Sequence, residues 1–280
     1  MVLPDLPERP TLRPGLHVVR RDAVTLQIGV DPPARVIAPD TDGVRRLIDD
    51  LSSARTPHDL TVEARTCLSD LLAADLVVPA GRRAAAAAQF GTAAEHRVRA
   101  RAGASAAVRG PEELAARAAD LLAGAGLVAP RDPEPPTTWL VLSEGEPVRD
   151  SLDELVRQGA PHLLVVSRVG RLEIGPFVAP GRTACLRCVD AHRAEPDPRR
   201  HLVVEQTARL VAAGAPEPRD DVLWSLATAW AVRDVLRFVE GERPSTWSAS
   251  FEVGPTEAPR SREWARHPHC GCVWDQLLSY

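Results

Sequence analysis

The chain has 280 residues, is 44% hydrophobic and 26% charged, and carries a net charge of -4. That is the composition of a soluble globular protein with room for one large or two modest cores, and it gives no electrostatic reason to bind nucleic acid or an anionic membrane. No apolar run is long enough to span a bilayer and no secretory signal opens the chain, so a cytoplasmic location is expected.

Residues 1 to 15 are rich in proline and read as an extended arm. Val24, Leu26, Ile28 and Val30 alternate with small or polar residues, Asp31-Pro32-Pro33 turns the chain, and Val36-Ile37 returns, which predicts a hairpin. Asp40-Thr41-Asp42 offers a cap for a helix carrying Val44, Leu47, Ile48 and Leu51. Thr56-Pro57 opens a short segment, Val62 to Ala74 predicts a further helix, and Leu76 to Pro79 closes as a strand. A hairpin, three helices and a closing strand describe a small winged-helix-like α+β domain over residues 1–85. Cys67, inside the last helix, reads as a small core residue. Arg82-Arg83 and the alanine run after them read as a linker, placed at 86–95, or as the start of a connecting helix.

From 96 to 280 strands alternate with helices, which predicts an α/β domain on a parallel sheet. The expected strands are Ala106 to Val108, Leu127-Val128, Trp139 to Leu142, His162 to Val166 and Thr246 to Val253. The expected helices are Glu112 to Ala125, Ser151 to Gln158 and Asp221 to Glu240. Trp247 and Trp264 read as packing residues.

Four of the five cysteines form two tight pairs, Cys185 with Cys188 and Cys270 with Cys272. Two such pairs closing on one ion give a four-thiolate shell with no open position, the signature of a structural zinc site. Disulfides or free thiols are the competing reading, disfavoured in a reducing compartment. His267 and His269 flank the second pair and offer substitute ligands.

The segments Ile174 to Val178, Pro180 to Cys188, Asp197-Pro198 and His267 to Cys272 together resemble the ThiF-type, ubiquitin-activating-enzyme-like proteins of thiazole/oxazole-modified microcin (TOMM) biosynthesis. These are also called cyclodehydratase C or leader-peptide-binding proteins. The resemblance implies that the N-terminal module is a PqqD-like RiPP recognition element and that the second domain is ThiF/Rossmann-like. The implied partners are a precursor leader peptide and a YcaO-type cyclodehydratase acting in trans, with homodimer formation through helix 221–240. The leader would add as a strand to the edge formed by Thr25, Leu26, Gln27, Ile28 and Val30, against Arg65, Leu68 and Leu72 of the third helix.

ThiF-type enzymes bind ATP at a glycine-rich loop, and here the aligned loop runs Gly110-Pro111-Glu112-Glu113-Leu114-Ala115. Glu112 and Ala115 stand where the second and third glycines belong, so acid faces the place of phosphate and ATP binding is not expected. All 34 basic residues are arginine, so no phosphate-binding lysine is present. Asp132 is the candidate for a ribose carboxylate after the second strand, but the degraded loop argues against that role. No catalytic residue is assigned, and the expected function is a non-adenylating scaffold. An ATP-dependent adenylyltransferase with a divergent loop is the alternative. A winged-helix DNA-binding regulator ranks lower, because Arg65 stands among Glu63, Asp70 and Asp75 without the clustered positive charge that phosphate contacts need.

Overall fold

A computed structural model describes residues 6–81, 84–131, 133–215, 218–268 and 270–272. Asp132, His269 and Arg82-Arg83 lie outside the described residues. The chain divides into two compact units, Met1–Arg99 and Ala100–Tyr280.

In the first unit β1 (Pro10–Leu12) is followed by β2 (Val18–Arg20), β3 (Thr25–Ile28) and β4 (Val36–Pro39), and these last three form an antiparallel sheet in that order. Helix α1 (Asp42–Ser52) starts where the Thr41 side chain accepts the Val44 N–H, and it buries Val44, Leu47, Ile48 and Leu51. Helix α2 (Val62–Ala73) repeats the device with Thr61 and buries Ala64, Cys67, Leu68 and Leu71. Strand β5 (Val77–Pro79) then pairs antiparallel with β1, so the proline-rich arm is drawn into a two-stranded sheet. Three helices were expected between residues 40 and 80, and two form. Ala54 and Asp59 take left-handed φ values of 51° and 49°, so residues 53–61 stay irregular. Cys67 is a core residue, and burial followed by the nearby Asp70 pushes its thiol up to about 11. Residues 86–95, read as a linker or the start of a connecting helix, fall in helix α3 (Ala84–Phe90), a 3-10 turn at 91–93 and the start of α4 (Ala94–Ala102).

The second unit continues with β6 (Ala106–Arg109), α5 (Glu112–Gly124), β7 (Thr138–Ser143), α6 (Arg149–Arg157), β8 (His162–Arg168) and β9 (Arg171–Val178). Helices α7 (Leu186–Ala194), α8 (Arg200–Ala212) and α9 (Asp221–Val239) follow, then β10 (Ala249–Val253) and β11 (Arg260–Glu263). The six strands order as β11-β10-β9-β8-β7-β6. Only β6, β7 and β8 run parallel, and every later pairing is antiparallel, so the sheet is mixed where a parallel one was expected. Leu127-Val128 contributes a single bridge to Ser105 in place of a strand.

Side chains alternate across the sheet. Leu140, Leu142, Leu163 and Val165 face α5 and α9, while Val141, Leu164 and Val166 face α6 and α7. Helix α9 directs Leu223, Trp224, Ala227, Ala231, Val235 and Leu236 into the first of these cores. Its apolar stripe is therefore committed to its own sheet, with Val222 and Leu226 exposed on the other side. No helix among the described residues is long and apolar enough to cross a membrane.

Candidate functional site

Cys185 is the residue before α7, and Cys188 lies in that helix's first turn, where exposed N–H groups favour negative charge. The helix is anchored from two sides. Arg149 on α6, itself buried, donates to Asp190 at 2.6 Å and to Glu146 at 2.9 Å, and Arg187 donates to Asp153 at 2.7 Å. Arg193 reaches Glu173 of β9 at 2.6 Å. The later pair is carried in by the chain after β11. Arg266 joins the two approaches, donating to the Gly181 carbonyl at 2.8 Å and to the Cys272 carbonyl at 3.3 Å.

The four sulfurs converge. Cys185 Sγ lies 3.8 Å from Cys188 Sγ and 3.3 Å from Cys270 Sγ, Cys188 Sγ lies 3.5 Å from Cys272 Sγ, and all four fall within 4.8 Å of one another. None is in a disulfide. A tetrahedral zinc with Zn–S bonds of about 2.3 Å separates its sulfurs by about 3.8 Å. The donor set and its spacing therefore fit such an ion. Hydrogen bonds from Cys185 and Cys270 hold the Cys188 thiol well below its ordinary range, while Cys185 is pushed up by its hydrogen bonds to Cys188 and Cys270 and by burial. A central dication would let four thiolates coexist at these separations. His267 turns its ring elsewhere, to His192 and Glu195.

The segment Gly110 to Ala115, expected as a degenerate nucleotide loop, lies between β6 and α5. Gly110 has φ +155°, and a Cβ there would sit 2.6 Å from the Leu142 carbonyl oxygen, so close backbone packing requires this glycine. Glu112 and Glu113 fill the first turn of α5. Arg219 donates to Glu113 at 2.7 Å and, with Arg117, keeps its carboxyl below the usual range. Ala115 begins the helical bonding to Pro111.

The expected peptide edge needs correction. Strand β3 is the centre of its sheet, paired to β2 on one side and β4 on the other, so residues Thr25 to Ile28 present no free edge. Leu26, Ile28 and Leu68 are buried in the core of the first unit, whereas Gln27 is half-buried, Val30 and Arg65 are exposed and Leu72 is half-buried. The free edges are β2 and β4, and α2 packs beside β4. The Asp40 N–H donates to the Val24 carbonyl at 2.8 Å, and the register pairs Ala38 with Leu26 and Val36 with Ile28. Antiparallel partners alternate between bonded and non-bonded pairs, so Ile37 and Pro39 turn their main-chain groups outward. The signal missed in the sequence was the Val18-Val19 pair, which makes β2 and covers the edge of β3.

The second unit is thus an α/β layer with a four-cysteine centre, and over 94% of its length the chain is similar in fold to part of solved heterocyclases. The heterocyclase TruD superposes with a TM-score of 0.71 at 16% identity, over 94% of this chain and 42% of that one. A heterocyclase in complex with substrate and cofactor gives 0.67 at 14% identity, over 94% and 39%. E. coli MccB with MccA-N7isoASN gives 0.64 at 12% identity, over 94% of this chain and 99% of that one. The chain spans about two-fifths of the length of the heterocyclases it matches. No protein-family model matches the sequence. No curated protein matches it by sequence.

Proposed function

We propose that this protein is a non-adenylating ThiF-like scaffold that binds the leader of a precursor peptide and presents it to a YcaO-type cyclodehydratase. In this reading residues 1–85 form the winged-helix-like RiPP recognition element, and 96–280 form the ThiF-like domain. A zinc ion on Cys185, Cys188, Cys270 and Cys272 supplies structure by tying the segment after β11 to α7. The observation that carries the reading is a fold shared over 94% of the chain with a heterocyclase, combined with Glu112 and Glu113 where a nucleotide's phosphates would approach α5. MccB has been solved with MccA, and a heterocyclase with its substrate, which favours a peptide as the ligand here.

The leader adds as a strand along β4, bonding to the outward N–H and carbonyl of Ile37, beside α2 with its accessible Arg65 and Leu72. Peptides selected on the full chain from a displayed random library test this placement. Ile37→Pro removes the outward donor while sparing the β3–β4 ladder, so enriched peptides should bind at least tenfold more weakly to it; unchanged binding would exclude the β4 edge.

An adenylyltransferase with a divergent loop is separated by isothermal titration with Mg-ATP, using Glu112→Gly for comparison. The scaffold reading expects no heat from the wild type. Micromolar binding, about -8 kcal/mol, would overturn the scaffold reading and make the adenylyltransferase the working model.

A further inference from the structure

Beside the sulfur cluster lies a second group of ligand-type side chains, His192 and Glu195 from the end of α7 and His267 from the chain after β11. The surroundings of His192 fix which of its nitrogens carries hydrogen. Nε2 lies 3.0 Å from the Ala265 carbonyl oxygen, which can only accept, so Nε2 donates. Neutral imidazole then leaves a lone pair on Nδ1, and Nδ1 faces Glu195 Oε1 at 3.3 Å, acceptor against acceptor. Nε2 of His267 approaches the same carboxylate oxygen at 3.4 Å. The two rings stand edge to face, their centroids 4.8 Å apart.

A lone pair and a carboxylate held this way leave a place for a cation between them. A proton is one candidate, but hydrogen bonds from imidazolium to carboxylate close to about 2.7–2.9 Å. A tetrahedral metal with N and O ligands at about 2.0–2.1 Å separates them by about 3.3–3.4 Å. The observed separations are the second pair of values, and all three ligand atoms lie within 4.8 Å of one another.

We propose that His192, Glu195 and His267 bind a second divalent cation of the zinc class, with three protein ligands and an open position for water or another oxygen ligand. The Glu195 side chain is 63% exposed, so the open position faces solvent. The Ala265 carbonyl orients His192 in the way that metal-bound imidazoles are commonly held. One segment serves both centres, because the His267 carbonyl also accepts the Cys270 N–H at 3.1 Å.

The test is metal content of the full-length protein after equilibrium dialysis against free zinc. Two ions per chain are expected for the wild type. One is expected for Glu195→Gln, an isosteric change at an exposed position, and for His192→Ala. Cobalt(II) titrated into the chain carrying one zinc should then add a second equivalent without a thiolate charge-transfer band. One ion in the wild type, or two retained in Glu195→Gln, would overturn the proposal.

Discussion

Gly175 holds φ +99° inside β9, and a Cβ there would lie 2.5 Å from the Ala249 carbonyl oxygen on the neighbouring strand. Gly175→Ala should therefore lower stability by about 2 kcal/mol, seen as a lower urea midpoint at unchanged slope. Around it, Ile174, Phe177 and Val178 are fully or almost fully buried, and Phe177 packs on Phe238 and Trp247. The segment that drew the eye in the sequence is thus a packing element. Cys67 behaves the same way, with a thiol raised by burial far from any nucleophilic range.

Strands β8 and β9 are joined by Val169-Gly170, both with positive φ, in a two-residue turn that pairs Arg168 with Arg171. A β-branched residue is badly suited to that conformation, and Asn is preferred in such turns. Val169 is 92% exposed, so nothing else holds it there. Val169→Asn should raise stability by about 0.5–1 kcal/mol, measured as a rise in melting temperature. That turn was also the sign, unread in the sequence, that the sheet changes from parallel to antiparallel. His162 to Val166 was legible because both faces of β8 are covered, which leaves one continuous apolar run. Strand β2 was not, since it has three residues and only Val18 is half-buried. Strand β10 starts at Ala249, later than expected, because Thr246 is turned back to Asp234 by two hydrogen bonds of 2.8 and 2.7 Å. The cysteine pairs announced themselves by local spacing. His192 and Glu195 did not, because their partner His267 is brought to them only by the path of the chain through β10 and β11.

At the scale of the molecule, the sulfur centre links segments 82 positions apart (270 - 188). With an ion bound it would act as a cross-link and stabilise the fold by about 4–5 kcal/mol through the unfolded chain alone. Chelation, or Cys185→Ser, should lower the unfolding free energy by about that much. A chelator-treated sample whose melting temperature does not move would show that no ion holds the centre. The same span has a meaning during synthesis. A ribosome adding about 5–20 residues per second needs about 4–16 s to travel from Cys188 to Cys270. Through that interval the first pair of sulfurs, 3.8 Å apart at the head of a helix, has been made and its partners have not. The nascent chain thus carries two of the four thiols before the other two exist. The yield of intact protein should then depend on how reducing the cell is while the chain is being made, more than on the conditions it meets once complete.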